Sequence, residues 1–373
     1  MIAAAIVAAG LSTAPAQASP HVSVTAAAGD VIAGEYIVRT RPGTASTVAS
    51  ARADSVMYVY EDAVHGFAAK LTGEQVEALR RDRDVVAIEH NQAVHAMSVQ
   101  SPTPNWGVDR IDQRPLPMNN SYTYFNNGTG VTAYVIDTGI NPTHPDFGGR
   151  AQVGTDVIGG NGIDCNGHGT HVSGTIGSTT YGVAKNVQLR GVRALNCAGS
   201  GSIAGVIAGV NWVQVNSPGP AVALMALGGA ANGALDAAVA SLTASGVFLG
   251  VSAGSGGVNA CTISPAGSPG AYAVVRSTQT DQSPATNNWG ACVKIHAPGT
   301  STPSTWLGAG TSVLSGTSMA AAHVVGLAAM FKDAVGDTPT AVVGAWISGV
   351  GTAGVLTGVH PQSPNLLLYT NVI

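Results

Sequence analysis

Four short runs constrain this chain more than any other feature. "VTAYVID" (131–137), "AVALMALGG" (221–229) and "GVFLGVSAG" (246–254) are near-continuous in apolar character, and "VQLRGVRAL" (187–195) is so except at Gln188, Arg190 and Arg193. A strand with one wet face alternates polar and apolar residues, whereas a continuous run of this length fits a strand buried on both faces. Between the runs, "GSIAGVIAGVNWVQ" (201–214) and "ALDAAVASLTAS" (234–245) carry helical spacing. Strand and helix in alternation predict an α/β fold with a mostly parallel central sheet between helical layers. Its functional groups belong at the carboxyl ends of the strands. Asp137 closes the first run, at such an end.

A second object precedes this one. Residues 29–95 hold 17 charged side chains in 67, whereas residues 97–373 hold 19 in 277 and no Glu. The charged segment reads as a small α+β unit. "EYIVRT" (35–40) and "VVAIEH" (85–90) have strand character, and "TGEQVEALRRD" (72–82) begins with a Thr N-cap and continues as a helix. "MSVQSPTPN" (97–105), rich in Ser and Pro, reads as a linker or a new amino terminus.

With 45% hydrophobic residues the chain can build a substantial core, which argues against disorder. Only 10% of residues are charged, against about a quarter in most proteins, and the net charge of −4 offers no basic face for nucleic acid. Residues 2–10 are apolar and "AQA" (16–18) matches a small-x-small cleavage site, which predicts a signal peptide over 1–18. No Lys or Arg precedes the apolar stretch, so its start is expected to be truncated. No later run reaches the ~18 uninterrupted apolar residues of a membrane span, and a secreted product without a membrane partner is expected. Cys165, Cys197, Cys261 and Cys292 fit two disulfides in an oxidising compartment, with three pairings open. None forms a CxxC pair, which argues against a structural zinc site.

Three residue types carry chemistry. Asp137 is followed by the turn "TGIN", and a buried carboxylate there needs a donor. Alone, it could simply cap the turn. His168 and His171 lie in "NGHGTHVSGTIG" (166–177), where glycines give way to a helical pattern. Two His three apart could ligate a metal, but no Glu follows in the zincin pattern. Ser318, in "LSGTSMAAAHVVGLAAM" (314–330), stands where loop becomes helix. A Ser there can cap the helix. It also sits among free backbone N–H groups and the positive end of the helix dipole, which stabilise an oxyanion formed beside it.

Asp, His and Ser in that chain order, each at a strand or helix end, match the order of the subtilisin triad. With "YVIDTGI", "DCNGHGTHVSGTIGSTTYGVAK", "APGT", "LSGTSMA" and "SPNLLLYTNVI", the chain after residue 28 resembles the subtilisin-like serine proteases, in particular the secreted proteinase K and aqualysin group. The resemblance implies a three-layer subtilisin-like fold over 97–373, preceded by an inhibitor-like propeptide over 29–96 whose tail near His95 occupies the active site until self-cleavage. It assigns Asp137 to orienting the imidazole, His168 to general base and then acid, and Ser318 to attack on the scissile carbonyl. It also implies the pairs Cys165–Cys197 and Cys261–Cys292. Peptide substrate is expected as an extended strand between Gly199, Ser200, Gly201 and Ala226, Leu227, Gly228, with broad specificity and a preference for apolar or aromatic residues before the cut. No cofactor for catalysis is implied, the partners are protein substrates and the chain's own propeptide, and a monomer is expected.

Some residues depart from the family pattern. Where relatives carry an Asn that donates to the oxyanion, this chain has Ser255, and from the residues alone it is open whether the shorter side chain reaches. Losing one such donor lowers turnover by roughly 10²–10³, and the known example comes from this family. Ala321 and Ala322 replace a usual Thr-Pro, and Ala226 replaces a common Ser. Lys294 stands where close relatives carry a calcium-binding Asp acting with carbonyls at Pro269 and Ala271, so that structural calcium site is expected to be lost. A rival reading follows from Ser255: a catalytically weak or inactive binding protein on the same fold. A serine esterase is disfavoured because the G-x-S-x-G elbow is missing.

Overall fold

The computed structural model describes residues 21–25, 31–92, 98–371 and 373. The expected signal peptide and the tail at His95 lie outside the described residues. The chain forms two compact units divided between positions 94 and 95.

The first unit is a five-stranded sheet in the order Val24–Thr25, Val85–Gln92, Val31–Thr40, Gly66–Lys70, Ser55–Tyr60. All its pairings are antiparallel except that of the two-residue strand. Helices Ala45–Arg52 and Gly73–Arg80 bury Val48 and Leu79 against Val38, Phe67 and Ile88. Thr72 starts the second helix with a reciprocal cap. Its side chain accepts from the Gln75 N–H at 3.3 Å, and the Gln75 side chain accepts from the Thr72 N–H at 2.9 Å.

The second unit is built on nine strands and five main helices. In chain order these are β1 (Thr132–Asp137), β2 (Ala151–Asp156), α1 (His168–Gly177), β3 (Gln188–Arg193), α2 (Ile203–Val215), β4 (Ala221–Met225), α3 (Gly233–Ala244), β5 (Phe248–Ser252), β6 (Tyr272–Ser277), β7 (Val293–Pro298), α4 (Thr317–Val335), α5 (Thr340–Val350), β8 (Thr352–Ala353) and β9 (Leu366–Leu367). Across the sheet the order is β8-β9-β7-β6-β5-β4-β1-β3-β2, and every pairing is parallel except β8 with β9.

Each strand residue feeds one of two cores. Along β1, Ala133 and Val135 pack with residues of α1, α4 and α5, while Tyr134 and Ile136 pack with residues of α2 and α3. The apolar runs are continuous because both faces are covered, as a three-layer α/β fold requires. Among the described residues α4 alone has the length and hydropathy of a membrane span, but 83% of its apolar window is buried within the fold. It is a core helix.

Residues 98–105 are built into the second unit rather than forming a linker, the first of the two readings given above. Ser98–Gln100 pairs antiparallel with Tyr122–Tyr124, and the Gln100 side chain donates to the Thr180 carbonyl at 2.9 Å. Asn105 then caps helix Trp106–Ile111 by accepting from the Gly107 N–H at 2.9 Å. Ser and Pro here serve ordered structure at the edge of the second unit. Both expected disulfides form, Cys165–Cys197 and Cys261–Cys292.

Candidate active site

β1 lies between β3 and β4, and the chain leaves it toward opposite sides of the sheet. A crevice opens at the carboxyl end of a strand so placed. Asp137, the last residue of β1, is fully buried. Its carboxylate accepts from the Thr138 N–H at 2.7 Å and meets His168 Nδ1 at 2.8 and 2.9 Å. The ring nitrogen facing a carboxylate carries the proton, which leaves Nε2 as the free base.

His168 is the first residue of α1, and its side chain is 27% exposed. Burial pulls its pKa down, but the Asp137 charge and hydrogen bond, with the Asp164 charge behind them, prevail and raise it above the ordinary histidine value. The turn that delivers it needs glycine. Gly167 has φ +107°, and a Cβ there would lie 2.4 Å from the Trp306 ring.

Asp164 organises this turn, a role the sequence reading did not assign. One of its oxygens accepts from the Thr138 hydroxyl and from the N–H groups of Asn166 and Gly167, each at 2.9 Å. The other accepts from the Thr170 N–H at 2.8 Å and the Thr170 hydroxyl at 2.6 Å. Thr138 Oγ1 in turn accepts from the Gly169 N–H at 2.9 Å. One buried carboxylate therefore ties the end of β1 to the first turn of α1, holding Asp137 and His168 in register.

His171 goes elsewhere. Its Nε2 lies 3.1 Å from the Thr302 carbonyl and 3.2 Å from that of Ser312. Burial first, then the nearby His168, lowers its pKa to about 4. It is a neutral structural donor. Among the described residues no group of three or more His, Cys, Asp or Glu is placed to hold a metal ion.

Ser318 is the second residue of α4, after Gly316 and Thr317, and is half-buried. Its hydroxyl donates to the Ala226 carbonyl at 3.3 Å. Among the described residues no hydrogen bond joins it to His168. Asp137 and His168 are thus brought into contact, whereas Ser318 is held on the facing segment. Ser255 is exposed, and the residue before it anchors its loop beside Ser318: the Gly254 N–H donates to Thr317 Oγ1 at 3.1 Å.

Gly199, Ser200, Gly201 and Ala226, Leu227, Gly228 line one cleft of about 700 Å³ together with His168. Gly199, Ser200, Gly201 and Gly228 are exposed, whereas Ala226 is buried. The calcium position fits the cation poorly: Lys294 is exposed at a hollow of about 500 Å³ with Pro269 and Ala271, and no lining residue there carries a carboxylate. A divalent ion would meet an ammonium and no anionic ligand.

Residues 128–349 match the subtilase family, and residues 15–97 match the peptidase inhibitor I9 family. The extracellular serine proteinase of Thermus sp. (strain Rt41A) is 46% identical over 316 residues, covering 84% of this chain and 77% of that protein. The alkaline serine exoprotease A of Vibrio alginolyticus is 46% identical over 319 residues, covering 84% of this chain, which spans 60% of that relative's length. A solved structure of a cold adapted subtilisin-like serine proteinase matches with a TM-score of 0.71 and 44% identity, over 72% of this chain and 99% of that one. The chain belongs to the subtilase family of serine peptidases, with an I9 inhibitor segment ahead of the peptidase domain.

Proposed function

We propose that this protein is a secreted serine endopeptidase in which Asp137, His168 and Ser318 form the triad. The observation that carries the reading is the double contact between His168 Nδ1 and the Asp137 carboxylate. With Nδ1–H held by Asp137, Nε2 accepts the Ser318 proton as Oγ attacks the scissile carbonyl, and the imidazolium then protonates the leaving amine. Water hydrolyses the acyl-enzyme by the same exchange. For attack, the Ser318 hydroxyl must leave the Ala226 carbonyl and turn to His168. The Ser318 N–H at the amino end of α4 supplies one oxyanion donor.

Substrate lies as an extended strand between residues 199–201 and 226–228, recognised chiefly through its backbone, so specificity is broad. Secretion rests on the apolar start of the chain and on the name of the Thermus relative. Residues 1–18 form the signal peptide, 29–96 an inhibitory propeptide removed by self-cleavage, and 97–373 the mature enzyme, a monomer without a catalytic cofactor.

Ser255 favours a second reading, a weak or inactive protein of the same fold. Intact-mass spectrometry of the expressed chain beside Ser318→Ala decides. Wild type cut between about residues 96 and 101, with Ser318→Ala uncut, supports the protease. Identical uncut masses overturn it in favour of the inactive reading.

A further inference from the structure

Ser255, at the position where the family resemblance expects an oxyanion donor, stands in the loop after β5 that Gly254 ties to Thr317, and a guanidinium from β6 approaches it. Arg276 Nη1 lies 3.5 Å from Ser255 Oγ, and Nη2 donates to Thr286 Oγ1 at 2.8 Å. No carboxylate pairs with this guanidinium among the described residues, and its Nε is buried without a partner. The stem is wedged into the same corner as the nucleophile. A Cβ on Gly299 would lie 2.7 Å from Arg276 Cβ, 2.6 Å from the Gly316 carbonyl and 3.1 Å from Ala320 Cβ. Gly316, the residue before α4, and Ala320 on it flank Ser318. On the other side, the Gly254 N–H is bonded to Thr317. Arg276 and Ser255 therefore bracket the amino end of α4.

An unpaired cation beside the positive end of a helix is unfavourable unless negative charge develops there. The triad reaction, if the function proposed above holds, develops it on each turnover. We infer that Arg276 is a positioning residue for an oxyanion donor made from Ser255. The guanidinium donates into the Ser255 oxygen, so the Ser255 O–H is directed away from Arg276 and toward the oxyanion. Cationic donation into a hydroxyl also strengthens that hydroxyl as a donor, because linked hydrogen bonds polarise one another. The 3.5 Å separation belongs to the resting site, and contacts of this kind shorten when charge forms. Arg276 and Ser255 together partly replace the single amide donor that relatives use. No proton is transferred: the Arg276 N–H, the Ser255 O–H and the oxyanion form a chain of donors.

The test is a double-mutant cycle in the mature enzyme, using Arg276→Ala, Ser255→Asn and both. Labelling by a fluorophosphonate, lost in Ser318→Ala, is measured first. It reports the triad reading independently of turnover, so failure of that reading shows as absent labelling. With labelling present, Arg276→Ala is expected to lower kcat about tenfold with KM within twofold, a fraction of the 10²–10³ for a full donor. In the Ser255→Asn background, whose amide needs no guanidinium, the same change is expected to alter kcat less than twofold. Arg276→Lys, which keeps a cationic donor, is expected to retain most of the activity. If Arg276→Ala folds poorly by thermal melting, Arg276→Met is read in its place. A ratio of at least threefold between the kcat losses in the two backgrounds supports the inference. A smaller ratio overturns it and leaves Arg276 a structural residue.

Discussion

His168 Nδ1 lies 2.8 Å from one oxygen of Asp137 and 2.9 Å from the other, and Asp137 itself is inaccessible to water. The carboxylate raises the imidazole pKa against the opposing pull of burial. In the proposed mechanism the base is neutral His168, so kcat/KM is expected to rise with pH through a midpoint above the ordinary histidine value. Asp137→Asn removes the charge that holds the midpoint up, so the profile should shift to lower pH. Its plateau should fall by about 10⁴, as tautomer control is lost. A pH–rate profile of both proteins checks this.

Asp164 satisfies five donor groups around the His168 turn with one carboxylate. Asp164→Ala strands buried N–H groups, at about 1–3 kcal/mol for each one left unpaired. A loss on the order of 3 kcal/mol or more is expected in denaturant unfolding. Turnover should fall together with stability, because the same bonds hold His168 in place.

Three buried histidines make the fold sensitive to acid. His171, His296 and His323 are each lowered to about 4, mainly by burial. A histidine depressed in the folded state takes up its proton later than in the unfolded chain, so its contribution is intact above the unfolded value near 6.5 and fades as pH falls toward 4. Asp112, pushed up to about 6 by burial, and Asp109, also raised by burial, act in the opposite direction over part of that range. Three groups outweigh two. The melting temperature is expected to fall steadily between about pH 6.5 and pH 4, as scanning calorimetry across that window would record.

The Cys165–Cys197 bridge closes a loop of 32 residues that begins three positions before His168 and ends two before Gly199. Replacing both cysteines by Ser is expected to destabilise the fold by about 3 kcal/mol, through restored freedom of the unfolded chain. Since the bridge tethers one wall of the cleft to the His168 turn, KM should rise more than kcat falls. Steady-state kinetics beside denaturant unfolding separate the two effects.

Ser255→Asn is expected to raise kcat several-fold or more with KM nearly unchanged, because the added amide acts chiefly in the transition state. Rates equal within twofold would mean that Ser255 does not limit turnover.

The four apolar runs were legible as strands because both sheet faces are covered, which erases the usual alternation and leaves an unmistakable pattern. Asp137 and His168 were legible because strand end, glycine turn and helix start are each written locally. Asp164 stood inside a quoted motif yet carried no role, since a lone Asp before a turn is common and its bonds reach across 26 positions to Thr138. The resting bond of Ser318 to Ala226 depends on a rotamer and on a contact 92 positions away, which no local pattern encodes. The Ser and Pro of 97–105 suggested a linker because composition does not reveal a strand partner. The reach of Arg276 to Ser255 was invisible for the same reason.

α4 carries Ser318 near its tip, and the rest of its length runs through the core, with Ala320, Ala321, Ala322, Leu327 and Ala328 wholly enclosed. A rod clamped along its shaft transmits any displacement to its end. Enlarging one of those alanines shifts the reacting oxygen by fractions of an ångström well before the molecule melts, so hydrolysis rates become a sensitive gauge of fit at positions no peptide ever touches. Natural selection on digestion alone would then be enough to police the tolerances of the interior.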